Sequence, residues 1–512
     1  MGAAGIWCMR VVGILQARVT PTRVLLVLLA AFLLFSGLGL HDGHDWGCDY
    51  AMYLLAAKNL LSGAPYSYQI PVLTFEFPHG ANFVLHTPSV GYPLLLAGGL
   101  ALFGLDFVAL KLVNLVFWCF GVLGFYLQAR KRFTPAVAVV GAAALLSLHS
   151  MFMFKQLLLS DVPAAALLAV ALWLFDSWER DRSLGRLTLL ALLCGFIILM
   201  RPVYTLLFPS LILALLLGWW RRGGGLSRPG VALETGLLVA VALLIQAINV
   251  HFSSLGNDYL GHGLTIFRET PLKEWVSLKL GLVGNEVVRL NVLLFGSSFI
   301  SSSHAVLLGL IALGFFPRLS LRRIAFMEIF VLAYLVAIII LSPWGLHNRL
   351  TLPLVFPAMI YLFHGLEQSV AWARRLPFVR DWRPERLLLV GSVLVLAVML
   401  QSNVHYMRSN WHFNPDVVLK PDFQQLVAWI RRETVPGEGV FFDKPHPLVL
   451  FSDRPVFRVR FDPRGGAVPP EPRLAVLSRP QLGSELHARH LRAGFTRERY
   501  ANEGFVVLER GP

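Results

Sequence analysis

Cys48-Asp49-Tyr50-Ala51-Met52-Tyr53-Leu54-Leu55-Ala56-Ala57-Lys58-Asn59-Leu60-Leu61-Ser62-Gly63 follows the first apolar run of the chain, Val24 to Leu40. Asp49, Met52, Tyr53, Ala56 and Leu60 recur at helical spacing, which predicts a short amphipathic helix opened by an acid. An acid there sits at the boundary of water and lipid, where a lipid-linked molecule would present its head group. Asp also suits the N-cap of such a helix, a role that needs no chemistry.

The composition sets the frame. Of 512 residues, 56% are hydrophobic and only 15% charged, and the mean hydropathy is +0.63. Soluble proteins carry about 25% charged residues, so the chain reads as a multi-span membrane protein with some soluble mass. The net charge of +15 does not indicate nucleic acid, because the basic residues form small clusters between apolar runs and not one stripe. The four cysteines, Cys8, Cys48, Cys119 and Cys194, show neither metal-ligand spacing nor a disulfide framework. The first apolar run ends in Ser36-Gly37-Leu38-Gly39-Leu40, a poor cleavage site, and reads as an uncleaved anchor. Either way, residue 41 onward lies outside the cytoplasm.

Lys and Arg gather at Arg18/Arg23, Arg130-Lys131-Arg132, Arg180/Arg182/Arg186, Arg221-Arg222, Arg318/Arg322-Arg323 and Arg374-Arg375 through Arg386. Spans near 24–40, 107–128, 136–154, 161–176, 187–200, 203–220, 231–250, 290–315, 324–341, 350–366 and 387–401 put every cluster in the cytoplasm, giving about eleven crossings, the N-terminus inside and the C-terminus outside. Residues 91–104 are too short to cross and would move Arg130-Lys131-Arg132 outside, so they read as an interfacial helix in a long first external loop, 41–106. Residues 251–289 form another external loop. From 402 the chain turns to Pro, Arg, Asp and short β-type runs near 440–442, 456–459, 474–477 and 505–508, with a helix over 422–432. The expected architecture is therefore an all-α polytopic membrane domain over 1–401 and a small α/β domain outside the membrane over 402–512. Gly223-Gly224-Gly225 lacks the Lys-Ser/Thr of a P-loop.

Charged residues at the outer face run against the inside bias and are functional candidates for that reason. They are Lys155 beside Ser160-Asp161-Val162-Pro163, Arg201-Pro202, Arg268 and Lys273, and His347-Asn348-Arg349. The bland roles are an N-cap for Asp161, a snorkelling turn residue for Arg201 and an interfacial anchor for Arg349. His41-Asp42-Gly43-His44-Asp45 has the look of a metal cluster, but no rigid element holds it, so it reads as a solvated linker. Glu76, His79 and His86 are better candidates for a divalent ion or for acceptor binding. Trp344 and Tyr204 fit an aromatic belt.

Together these motifs resemble the GT-C membrane glycosyltransferases, nearest the protein-mannosyltransferase and aminoarabinose-transferase branch. The likeness rests on the Asp49-Tyr50-Ala51 run ending in Asn59-Leu60-Leu61-Ser62-Gly63, on Thr87-Pro88-Ser89-Val90-Gly91-Tyr92-Pro93-Leu94, on Ser160-Asp161-Val162-Pro163, on Arg201-Pro202, and on the Arg349 stretch through Pro353 and Pro357. The second of these departs from the family pattern, with Thr-Pro-Ser in its first part. The resemblance implies a polyprenyl-phosphate-linked sugar donor, a lipid, glycan or protein acceptor, and inverting chemistry on the outer face of the inner (plasma) membrane. Asp49 would be the catalytic acid/base residue, joined by Asp161, while Lys155, Arg201, Arg349, His347 and Arg268 would bind substrate or its phosphate. Some members use a divalent metal ion and others none. The alternatives are a flippase for lipid-linked sugars and a non-catalytic assembly protein that keeps the fold.

Overall fold

The structure, a computed structural model, describes residues 20–66, 73–76, 88–222, 228–252, 268, 270–297, 300–341, 348–377, 379–410, 417–460, 473–492 and 494–511. The membrane-crossing helices are predominantly apolar, and several start at polar punctuation. Helix α1 (Pro21–Leu38) has Pro at its first position behind Thr20, whose hydroxyl accepts from the Arg23 N–H. Helix α2 (Cys48–Ser62) ends at Gly63, whose φ of 67° is the left-handed stop that favours glycine. After strand β1 (Leu73–Glu76) and helix α3 (Gly91–Phe103), Asp106 caps helix α4 (Phe107–Ala129) through the Ala109 N–H, 2.9 Å away.

The series continues with α5 (Pro135–Leu146), α6 (His149–Phe154), α7 (Asp161–Asp181), α8 (Leu184–Met200), a 3-10 turn (Pro202–Leu206), α9 (Leu207–Arg221), α10 (Arg228–Phe252) and α11 (Leu272–Phe295). Then come α12 (Ser302–Phe315), α13 (Phe326–Leu341), α14 (Asn348–Thr351), α15 (Val355–Ala373) and α16 (Pro384–Asn410). Among the described residues, eight helices are long and apolar enough to cross a membrane. Three shorter apolar helices, Pro135–Leu146, Leu184–Met200 and Phe326–Ile340, fall on the other expected crossings, and Gly91–Phe103 falls on the run set apart as interfacial. The structure corrects two boundaries. The expected span 136–154 breaks at Ser147 and Leu148, between α5 and α6. The expected span 290–315 is two helices: α11 stops at Gly296, at φ 72°, and α12 begins at Ser302. Helix α11 carries Lys273, Glu274, Lys279, Glu286 and Arg289, charges that a lipid-facing span would not tolerate.

Small residues set the helix packing. Gly121 and Gly124 of α4 lie against Ala166 and Ala169–Val170 of α7, and Gly314 of α12 lies against Gly365 of α15 so closely that a Cβ on either would overlap backbone. The basic clusters collect at one end of the bundle. There Arg132 pairs with Asp176 at 2.8 Å, Arg182 with Glu234 at 3.8 Å, and Arg318 with His364 at 2.6 Å. Arg221 donates to the Leu321 carbonyl at 2.9 Å.

The opposite end is layered. Helix α3 lies across it, with Gly91 against the backbone of Leu199–Met200 and Gly99 against Leu110. Helix α2 packs on α3, and the C-terminal helix α18 (Pro445–Ser452) packs on α2. The remaining C-terminal elements are α17 (Pro421–Glu433), β2 (Val440–Phe441), β3 (Val456–Arg460), β4 (Leu474–Ser478), α19 (Glu485–Arg492), β5 (Phe495–Ala501) and β6 (Phe505–Arg510). The expected helix is α17, which buries Phe423, Leu426, Val427 and Ile430 as its spacing implies, and the four β-type runs are β2, β3, β4 and β6.

Sequence reading missed β5, α18, α19 and the sixth strand, β1, which comes from the first loop. The sheet order is β1-β3-β2-β4-β6-β5, with β1, β3, β2 and β4 parallel and β6 antiparallel to both its neighbours. Leu73 pairs with Phe457 and Glu76 with Arg460, so the first loop is stitched into the C-terminal sheet. Trp46 adds a second tie, edge-on to Phe423, Phe442 and Phe505.

The α12–α15 contact gives a first prediction. Gly365→Ala or Gly314→Ala should push the two helices apart and cost about 1–3 kcal/mol, the usual scale of overpacking. Gly309→Ala, where an added Cβ meets nothing within 4 Å, should be neutral. Thermal unfolding of the detergent-solubilised protein checks this, and equal melting temperatures for all three variants would contradict the close packing.

Candidate active site

Four charges from four distant parts of the chain meet at the layered end of the bundle. Asp49 lies in the first turn of α2, but the N-cap is Gly47, so its carboxylate is not the cap. It accepts instead from Arg349 Nη1 at 2.5 Å, with the two side chains 32% and 30% exposed. Asp161 likewise follows the N-cap, Ser160, and pairs with Arg201 Nη2 at 2.7 Å. This second pair is deeper, at 5% exposure for the Asp161 side chain and 14% for that of Arg201. The N-cap reading of both acids is thus corrected: the residue before each, or two before it, takes that place.

The two pairs form one electrostatic unit. The charges of Asp161 and Arg201 act on Arg349 as well as that of Asp49. Tyr53, one turn along α2 from Asp49, feels Arg201, Asp49 and Asp161; burial pushes its phenol up to about 12 and keeps it neutral. Its hydroxyl meets Ser160 Oγ at 3.0 Å. The unit alternates in sign and sums to zero, which lowers the cost of keeping charge beside the membrane. One member stays unsatisfied: Asp161 Oδ2 is buried without a hydrogen-bond partner among the described residues. A cavity of about 320 Å³ opens onto Asp49 and Arg349 and is also lined by His44, Asp45, Tyr50 and Leu159.

A strap holds Asp49 in place. His41-Asp42-Gly43-His44-Asp45, expected as a solvated linker, is instead held against the bundle. Lys111 Nζ donates to the carbonyls of His41 (2.6 Å) and Gly43 (2.8 Å). Gln156 bridges the His41 N–H and the Gly39 carbonyl. His44 is 2% exposed and stacks on Tyr50 with ring centroids 3.8 Å apart. Its Nδ1 lies 2.7 Å from Asp45 Oδ1, and its Nε2 accepts the Leu158 N–H at 3.0 Å, which fixes the neutral tautomer with the proton on Nδ1. Asp45 Oδ1 also accepts the N–H of Gly47, the N-cap of α2.

The other partner is held from behind. Glu286 of α11, buried, accepts from Thr351 Oγ1 and Arg289 Nη1, each at 3.2 Å, and Tyr334 donates to the Leu350 carbonyl at 2.6 Å. Both contacts fix the turn that presents Arg349. Glu286 was not singled out from the sequence; the signal available was an acid in a stretch long enough to be helical.

Of the remaining substrate-binding and metal candidates, the side chains of Lys155 and Arg268 are among those described. Lys155 is 8% exposed and its ammonium donates to the Ser36 carbonyl at the end of α1, over the Phe152 ring. Arg268 is exposed. His347, His79, His86 and Trp344 lie outside the described residues, and of Glu76 only the strand backbone is described. Tyr204 is no belt residue: it is buried, stacked on Phe330. Among the described residues no group of three or more His, Cys, Asp or Glu side chains could hold a metal.

The geometry can be compared with known proteins. Residues 86–248, which include Asp161 and Arg201, match the sequence profile of the dolichyl-phosphate-mannose-protein mannosyltransferase family. No curated protein matches the sequence. The oligosaccharyltransferase of Archaeoglobus fulgidus, solved with zinc and sulfate, superposes with a TM-score of 0.57 at 13% identity over 89% of this chain and 68% of its own. ArnT from Cupriavidus metallidurans superposes with a TM-score of 0.56 at 15% identity over 95% of this chain and 99% of its own, and its structure with bound undecaprenyl phosphate gives 0.53. The GT-C resemblance of the motifs is therefore shown at the level of the fold: this chain has the GT-C fold.

The strap predicts a pH dependence. Burial lowers the His44 pKa below its ordinary value, against the pull of Asp45. The folded state thus disfavours protonation, so the His44 contribution is complete above about 6.5 and is lost as pH falls from there toward the lowered folded value. The Leu158 N–H then loses its acceptor. Melting temperatures of wild type and His44→Gln should differ most at pH 7.5 and converge toward pH 5, about 1 kcal/mol separating the two ends. A difference that stays constant with pH would remove His44 from this role.

Proposed function

We propose that this protein is an inverting membrane glycosyltransferase that moves a hexosyl or pentosyl unit from a polyprenyl-phosphate donor to a hydroxyl of a lipid, glycan or protein acceptor, on the outer face of the plasma membrane. The observation that carries the proposal is the partly exposed Asp49–Arg349 pair facing a cavity, backed by the buried Asp161–Arg201 pair. The structure of ArnT with undecaprenyl phosphate supports a lipid phosphate as the donor class.

The chemistry follows from the charges. A donor phosphate entering the cavity competes with Asp49 for Arg349, whose planar fork suits two phosphate oxygens. As Arg349 turns to the phosphate, the Asp49 carboxylate is released to accept a proton. The acceptor oxygen attacks the anomeric carbon and gives its proton to Asp49, while the bond from that carbon to the phosphate oxygen breaks. The electron pair leaves on the polyprenyl phosphate, which Arg349 neutralises. Asp161 holds Arg201 within range, so that Arg201 adds to the positive field at the same place. A single displacement inverts the anomeric centre. Should a divalent ion take part, Glu76, His79 and His86 are its candidate ligands on this side, and transfer measured before and after EDTA treatment tests for it.

Asp49→Asn keeps the size of the side chain and cannot take the proton. Transfer from a synthetic polyprenyl-phosphate sugar by the purified variant should fall at least about 100-fold, the usual worth of a general base, with donor binding retained. Arg349→Lys keeps the charge but loses the fork and should lower kcat more than it raises KM. Wild-type turnover by Asp49→Asn would leave a non-catalytic role, and movement of the donor across a vesicle bilayer without transfer would leave a flippase.

Orientation is tested separately. In a background without native cysteines, Arg497→Cys on exposed β5 should react with an impermeant maleimide added to intact spheroplasts. Ser320→Cys, among the basic clusters at the other end, should react only after permeabilisation. The reverse pattern would put the site in the cytoplasm.

A further inference from the structure

A second cavity, of about 580 Å³, lies between the C-terminal end of α2 and the corner joining α3 to α4, where Lys58, Ser62, Ala64, Leu100, Gly104 and Leu105 line it. Lys58 is nine residues on from Asp49, about two and a half turns, so it points to the side of α2 away from the candidate active site. Among the described residues no carboxylate lines this cavity. Asp106, next along the chain, turns its side chain to the Ala109 N–H. Among the described residues the Lys58 ammonium donates to the Leu450 carbonyl, at 3.5 Å, the outer limit of a hydrogen bond.

An apolar stripe leads into the same place. Leu94, Gly98, Ala101 and Leu102 are exposed at i, i+4, i+7 and i+8, one face of α3, and exposed Leu105, which lines the cavity, follows the turn at Gly104. Leu94 is 55% and Leu102 78% exposed, with Phe103 beside them at 55%. Helix α3 has 13 residues, roughly 20 Å, too short to cross a hydrocarbon core of about 30 Å. It lies across the ends of α4 and α8 with one apolar face uncovered, the disposition of a helix seated at the boundary of head groups and acyl chains. A cation at the end of an apolar track at that depth calls for a ligand with tails and an anionic head.

We propose that this cavity binds an anionic phospholipid, its phosphate at Lys58 and its acyl chains along the α3 stripe. The site is separate from the donor site and stands on its own observations, whatever reaction the protein carries out. Bound there, the lipid lies beneath the contact of α2 with α18 and holds the loop layer to the membrane.

The test uses the full-length protein reconstituted in nanodiscs of equal amounts of phosphatidylglycerol and phosphatidylcholine, with retained lipids counted by native mass spectrometry. Wild type should retain phosphatidylglycerol in preference. Lys58→Gln should weaken that retention about fivefold, the worth of one cation at an anionic lipid surface, and Lys58→Arg should restore it. Ala64→Trp fills the cavity without touching the Leu450 contact and should abolish retention; its melting temperature checks folding. Unchanged retention in Lys58→Gln and Ala64→Trp would overturn the proposal. Loss in Lys58→Gln alone would mean that Lys58 acts only through Leu450, and overturns it too. Inorganic phosphate at about 10 mM should not displace the lipid; displacement would mark a free-anion site and refute the lipid assignment.

Discussion

The ion pair between Asp49 and Arg349 joins residues 300 positions apart, and the architecture around it is what such a contact demands. Two charges at a membrane boundary are stable only if each is paired and held, because desolvation costs more than a loose pair returns. Asp49 is held by the strap of residues 39–47 and Arg349 by the turn anchored on Glu286 and Tyr334. Behind them Asp161 and Arg201 complete a neutral set of four. A set that is neutral at rest gains an unbalanced positive charge when one of its acids is protonated. That is the state in which a leaving phosphate is best stabilised.

The two pairs differ in a way that assigns them different work. Asp49 and Arg349 are about one-third exposed and face a cavity. Asp161 and Arg201 are sunk below them, and one oxygen of Asp161 has no partner among the described residues. An exposed pair can exchange partners with an incoming ligand at little cost. A buried pair cannot, and acts as a fixed source of field.

The layers over the bundle explain why the soluble part is not a separate appendage. The first loop contributes β1 to the C-terminal sheet and Trp46 to its aromatic core, and α18 rests on α2, the helix that carries Asp49. The C-terminal domain thereby bears directly on that helix. The same helix presents Lys58 on its far side, so a lipid bound there and a donor bound at Arg349 would grip opposite faces of one element.

Much of this was legible in the sequence for a physical reason. Crossings are set by local hydropathy and by the placement of Lys and Arg, both properties of contiguous sequence, and each expected crossing contains an apolar helix. Charges at the wrong end of a span betray themselves against the same bias, which is how Asp161, Arg201 and Arg349 stood out, while Asp49 stood out as the acid that opens the amphipathic run after the first span. Local sequence could not say which acid meets which base. It also could not show that Lys155 turns to the Ser36 carbonyl, that His44 is a buried strap and not a solvated linker, or that Glu286 supports the Arg349 turn. Those facts depend on contacts between segments tens to hundreds of residues apart. The β1 strand shows the same limit from the other side: four residues of a loop become a strand only because the edge of a distant sheet supplies their hydrogen-bond partners.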